Sequence, residues 1–169
     1  MISAYFHFKD LDICLLELTE ETDIIETGRI NNVLLKTICL PENESPPGSK
    51  CFTSGIKRDS KVVEAVPLQL FNYTVCDENI HYKDVETTLN QNQLCAGLSS
   101  NVNYTIQLTR QYDEDFGGPL ICLDEDLKPV FTGIASSNTL LADSNQPGIY
   151  TNVFKNKGWI QNMTGPINI

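Results

Sequence analysis

A chain of 169 residues with 41% hydrophobic and 20% charged content can bury one sizeable core and is too apolar for wholesale disorder. Its 12 Lys+Arg against 22 Asp+Glu give a net charge of -10, which argues against nucleic acid or an anionic membrane surface as partner. No apolar run approaches the roughly 20 residues that a bilayer-spanning helix needs.

In chain order, residues 12–18 (Asp-Ile-Cys-Leu-Leu-Glu-Leu) read as a short strand buried on both faces. Thr19 to Asp23 reads as an acidic surface turn, and residues 33–40 as a second strand. Pro41 opens a proline-rich linker that runs to Ser49 and marks the candidate domain boundary. Strands are expected at Cys51–Gly55, Lys61–Leu70 and Leu94–Gly97, with room for a short helix in the polar stretch Cys76–Gln91.

The stretch Tyr112–Cys122 runs from acidic residues through Gly117-Gly118-Pro119 into Leu120-Ile121-Cys122, a tight backbone feature feeding a buried strand. Strands at Leu120–Leu123 and Val130–Ser136 flank a hairpin turn at Asp124-Glu125-Asp126. An Asn/Ser-rich loop over 137–146 leads to a strand at Pro147–Val153. Phe154–Met163 is the one persuasive helix, because Phe154, Trp159, Ile160 and Met163 recur at helical spacing. Many short strands between Gly/Pro turns mean an all-β fold.

The six cysteines, at 14, 39, 51, 76, 95 and 122, contain no Cys-x-x-Cys pair, and with two histidines in the chain no metal or other cofactor is expected. Asn43, Asn72, Asn103 and Asn162 each begin an Asn-x-Ser/Thr acceptor sequence. Cysteines and acceptors together point to an extracellular protein. Met1–His7 lacks the basic start and apolar core of a signal peptide, so a leader and more are expected upstream.

Seven separated strings, in order, resemble the trypsin/chymotrypsin-like serine peptidases. Asp12-Ile13-Cys14-Leu15-Leu16 resembles the strand that carries the family's triad aspartate. Ile38-Cys39-Leu40-Pro41 resembles the close of the first barrel, and Cys51 to Gly55 the opening of the second, although Ile56 stands where Trp usually follows. Leu94 to Gly97, Pro147 to Val153 and Trp159-Ile160 match three further family strings. Asp115-Phe116-Gly117-Gly118-Pro119 resembles the nucleophile loop Gly-Asp-Ser-Gly-Gly-Pro. The resemblance implies a trypsin-like double β-barrel. Residues 1–48 would be the last strands of the first barrel with the linker. Residues 49–169 would be the complete second barrel and C-terminal helix, with the family's histidine upstream. It also implies Cys51–Cys122 and Cys76–Cys95 bridges, and a Cys39 that ties the domain to an upstream segment. Cys14 is expected as a buried free thiol, with a Cys14–Cys39 bridge left open.

The same resemblance assigns the site residue by residue. Asp12 takes the place of the aspartate that orients the catalytic histidine. Phe116 takes the place of the nucleophilic serine and has no atom that can attack a carbonyl. Glu114 replaces a glycine of the oxyanion hole and brings a negative charge where an oxyanion would form. Asp115 is kept, without a recognisable activation sequence to supply its amine partner. Arg110 falls where trypsin has its pocket aspartate, and Ser136-Ser137-Asn138 replaces the Ser-Trp-Gly substrate strand. A family bridge beside the pocket is absent at both of its positions, Tyr112 and Leu141. His7 and His81 stand in the wrong contexts to serve as base. A Phe116 ring folded into the old pocket is one expectation for the remodelled loop.

The resulting expectation is a secreted, non-catalytic serine-peptidase homolog that binds or regulates an unknown protein partner. The alternatives are an active serine endopeptidase known from a partial or erroneous sequence, and an incomplete gene model without a functional product.

Overall fold

A computed structural model describes residues 2–8, 12–18, 29–30, 33–34, 37–56, 63–74, 76, 89–98, 116–136 and 147–165. The N-terminal part holds two antiparallel pairs: β1 (Ile2–Phe8) with β2 (Ile13–Leu18), and the short β3 (Arg29–Ile30) with β4 (Val33–Leu34). Six later strands close into a barrel: β5 (Lys50–Ile56), β6 (Val63–Leu70), β7 (Gln93–Gly97), β8 (Pro119–Leu123), β9 (Pro129–Ala135) and β10 (Gly148–Asn152). Its order is β10-β7-β6-β5-β8-β9, and closure leaves this sheet no free edge.

The barrel fills by strand alternation. Along β8, Leu120 and Cys122 are fully buried while Ile121 and Leu123 are half-buried. Leu120 and Cys122 meet Cys51, Leu70, Ala96, Ala135 and Tyr150 in one core. Gly133 of β9 lies across from this core: a Cβ there would come within 3.0 Å of the Tyr150 Cβ and 3.3 Å of the Leu120 Cβ. The absent side chain is what lets β9 close on β8 and β10. Cys51 stands directly opposite Cys122 in the β5–β8 register, and the two form a disulfide. A second disulfide joins Cys76 to Cys95 beside Leu89 and Ile149.

The helix α1 (Val153–Thr164) follows β10 without a loop. Asn152 caps it, its Oδ1 accepting the Lys155 N–H at 3.2 Å. Val153 and Ile160 bury against Ile13 of β2, with Leu15, Leu40, Phe131, Ile134 and Trp159 packed around them. This third cluster holds β2 and the helix against the outside of the barrel.

The strand at 12–18 therefore departs from the expectation of burial on both faces. Ile13 is buried and Leu15 packs beside it, whereas Cys14 is exposed and Leu16 is 52% exposed. Period-two alternation turns Cys14 away from the third cluster, so it is an exposed free thiol and not a buried one. Cys39 is likewise free and exposed, and the two are not bridged. The strand expected over 33–40 is also shorter: within the described residues only Val33–Leu34 forms a regular strand there. Further on, the Cys39 carbonyl accepts the Phe131 N–H at 2.9 Å, so this segment pairs outward onto β9 through an isolated bridge.

The linker from Pro41 to Ser49 is fastened along its length. Pro41 is buried, and its carbonyl accepts Lys157 Nζ at 3.0 Å. Glu44 Oε1 accepts Asn152 Nδ2 and Glu44 Oε2 meets Lys155 Nζ, each at 3.0 Å. Ser45 Oγ lies 3.5 Å from Thr132 Oγ1, and the Gly48 N–H donates to the Leu70 carbonyl at 2.7 Å. Expected segments at 19–23, 98–110 and 137–146, and most of 76–91, lie outside the described residues.

Candidate functional site

The site forms where four separated parts of the chain meet: the turn before β8, the end of β9, β10 and Asp12. Phe116 and Gly117 make a turn into β8, with Gly117 at φ +80, a backbone angle that disfavours a Cβ. The Gly117 N–H donates to the Ala135 carbonyl at 2.9 Å, and the Ala135 N–H donates to the Gly118 carbonyl at 2.8 Å. This pair fixes the turn against the end of β9. Ser136 follows directly, is 1% exposed, and donates its own N–H to the Ile149 carbonyl of β10 at 3.1 Å.

The buried Ser136 hydroxyl donates to Asp12 Oδ2 at 2.8 Å. Thr151 Oγ1 of β10 donates to the Asp12 carbonyl at 3.1 Å. Asp12 sits just before β2 at φ +50, a left-handed conformation that Asp tolerates better than most residues. Two hydroxyls thus hold one residue by both its side chain and its backbone. The carboxylate is an acceptor in place to orient a donor, and Ser136 is a buried hydroxyl that positions it.

Phe116 is 37% exposed, and the segments expected to wall the old pocket, including Arg110, Ser137 and Asn138, lie outside the described residues. Its place in the surface turn before Gly117 keeps the ring outside the barrel core. A phenyl ring here offers an apolar surface and no nucleophile. His7 lies in β1 opposite Cys14. Arg110, Tyr112, Glu114, Asp115, Ser137, Asn138, Leu141, His81 and the acceptor Asn103 lie outside the described residues. Of the other acceptors, Asn43 and Asn72 are exposed near the linker, and Asn162 is exposed on α1. Among the described residues no cluster of His, Cys, Asp and Glu could hold a metal ion, and no helix is long and apolar enough to cross a membrane.

Thr151 is the partner of Asp12 that sequence reasoning missed. The strand over 147–153 was legible, and its alternation separates Thr151 from its neighbours Tyr150 and Asn152. That Thr151 reaches back to Asp12, 139 positions earlier, is a tertiary relation that no local pattern carries.

The family model described as Trypsin matches residues 3–160. The chain belongs to the trypsin family. It is 31% identical over 160 residues to the snake venom serine protease KN13 of Trimeresurus stejnegeri, covering 90% of this chain and 54% of that protein. It is equally similar, at 31% over 160 residues, to the snake venom serine protease homolog KN4 of the same species, with 90% and 53% covered. Mannan-binding lectin serine protease 1 of Rattus norvegicus is 26% identical over 163 residues, or 93% of this chain and 21% of that protein. The chain therefore spans about half the length of the venom relatives and about a fifth of the rat protein. Among solved structures, kallikrein-related peptidase 10 superposes with a TM-score of 0.65 at 22% identity, covering 96% of this chain and 71% of that one. That likeness shows the trypsin-like fold, which the closed six-stranded barrel and the single C-terminal helix express here.

Proposed function

We propose that this trypsin-family chain is an extracellular, non-catalytic homolog that binds or regulates a protein partner. The observation that carries the reading is Phe116, a partly exposed phenyl ring at the position where the family's loop has its nucleophile. By sequence Glu114 replaces a glycine of the family's oxyanion hole, and a carboxylate there would oppose acyl transfer electrostatically. Arg110 and Ser136-Ser137-Asn138 would remodel the pocket and the substrate strand in the same direction. The name of the venom protein KN4, a serine protease homolog, supports this class. The two disulfides and the similarity to venom proteins support an extracellular location. Residues 1–48 would form the end of a first barrel with its linker, and residues 49–169 the second.

Serine-type endopeptidase activity is the second reading. It is favoured by the Asp12–Ser136 hydrogen bond and by the names of the other relatives, which are proteases. An active-site fluorophosphonate probe decides between the two. No covalent labelling is expected, either of the natural protein or of Phe116→Ser, because Glu114 remains. Stoichiometric labelling of the natural protein would establish the endopeptidase instead.

A further inference from the structure

Where β10 ends at Asn152, beside the start of β7 and the segment after β6, the structure holds a cavity of about 670 Å³. That volume falls in the range of roughly 300–1,000 Å³ typical of small-ligand sites. Thr151 meets Asp12 and the next residue, Asn152, borders the cavity, so adjacent residues of one strand serve the two places. Leu70, Leu89 and Leu94 line the cavity together with the half-buried ring of Phe71. Pro46 and Pro47 of the linker form another wall. At the rim stand Asn72 and the 47% exposed ring of Tyr73.

Asn72-Tyr73-Thr74 is one of the acceptor sequences, and all three residues are exposed. Asn72 Oδ1 accepts the Thr74 N–H at 3.3 Å, and among the described residues nothing binds its Nδ2. Folding therefore leaves free the one atom that would carry a sugar, at the mouth of a cavity with an aromatic rim. The Tyr73 hydroxyl donates to the Leu89 carbonyl at 2.6 Å, which holds the ring in place. Gln93 Oε1 accepts the Asn90 N–H at 3.1 Å, which fixes another lining amide. A fixed ring with amide groups around an apolar floor suits a sugar, whose C–H face stacks on aromatics while its hydroxyl and acetamido groups hydrogen-bond.

We propose that Asn72 carries an N-linked glycan and that this cavity seats its first N-acetylglucosamine. The inference rests on the extracellular reading above. In the transfer, Asn72 Nδ2 bonds to C1 of the first sugar and loses one proton. The bond from that carbon to the pyrophosphate of a lipid-linked oligosaccharide breaks, and the lipid pyrophosphate leaves. Asn43, another acceptor, is exposed and does not line the cavity, so a glycan there would stay in solvent.

The test uses protein expressed from its full-length transcript in eukaryotic cells. Secretion is read first, from its appearance in the medium. Glycopeptide mass spectrometry then reads each acceptor. Two digests follow, one enzyme leaving a single N-acetylglucosamine on Asn72 and one removing the whole glycan. The single-sugar form is expected to keep the melting temperature of the intact glycoprotein. Complete removal is expected to lower it by about 2–4 °C. Tyr73→Phe, which keeps the ring and loses the bond to Leu89, retains this difference, and Tyr73→Ala abolishes it. An unmodified Asn72 in secreted protein overturns the inference and leaves the extracellular reading standing, as does a difference that persists undiminished in Tyr73→Ala. Retention of the whole protein in the cytosol overturns both.

Discussion

Ser136 and Asp12, separated by 124 positions in sequence, share a hydrogen bond of 2.8 Å in which the serine donates. The donor is buried and the acceptor residue is exposed, so its worth lies near the lower end of the range for bonds to charged groups. Ser136→Ala is expected to cost about 1.5 kcal/mol. Asp12→Ala should cost more, because it also forces a left-handed backbone on a residue with no polar side chain to support it. Asp12→Asn, which keeps an acceptor and tolerates that backbone, should cost least. Urea midpoints of the three variants check the order, and equal losses for Asp12→Ala and Ser136→Ala would remove the backbone component.

The two disulfides close loops of different length. Cys51 and Cys122 are 71 positions apart, and Cys76 and Cys95 are 19 apart. Loop-closure entropy assigns about 4 kcal/mol to the first and about 3 kcal/mol to the second. Paired alanine replacement at Cys51 and Cys122 should therefore destabilise more, and the cavity left in the barrel core adds to the gap. Chemical denaturation of both double variants gives the comparison.

Gly133→Ala is expected to destabilise the barrel by about 1–3 kcal/mol, although alanine suits a strand at least as well as glycine. The added Cβ would meet the Tyr150 Cβ at 3.0 Å, and neither atom lies at the end of a flexible side chain. Gly158→Ala is the control: nothing lies within 4 Å of a Cβ there, and α1 should gain. Thermal unfolding of the two variants should move in opposite directions.

Asn152 is tied at four points. Its Oδ1 caps α1, its Nδ2 donates to Glu44, its N–H donates to the Asn92 carbonyl at 2.7 Å, and its carbonyl accepts Asn156 Nδ2 at 2.7 Å. Aspartate caps helices as well as asparagine does, yet Asn152→Asp would lose the donor and set a carboxylate against Glu44. A loss of about 1–2 kcal/mol is expected. Adding Glu44→Gln should recover most of it by supplying a new donor. Failure of the double variant to recover would place the defect in the cap alone.

What the sequence made legible follows the range of the signal. Glycine and proline punctuation with short apolar runs marked β5 through β10, and helical spacing marked α1 to within a residue at each end. The strand β1 was missed although Ile2, Ala4, Phe6 and Phe8 alternate with Ser3, Tyr5 and His7, a period-two pattern open to view. Cys14 was misjudged because a continuous apolar run does not say which of its faces will find a partner. At the site, Asp12, Ser136 and Phe116 stand out by their places in family-like strings, although Ser137 and Asn138 depart from the neighbours the family has after Ser136. The bond between Asp12 and Ser136, the support from Thr151 and the exposure of Phe116 depend on how barrel strands close, which is set by packing over the whole chain.

The linker has a mechanical consequence. Between Cys39 and Gly48 it is bonded to β9, to both Asn152 and Lys155 at the start of α1, to Lys157, and to the end of β6. A force drawing residues 2–18 off the barrel would strain these attachments side by side and not peel them one at a time. The connection should therefore yield in one step at high force, and a stretch of sequence that looks like slack behaves as a riveted seam.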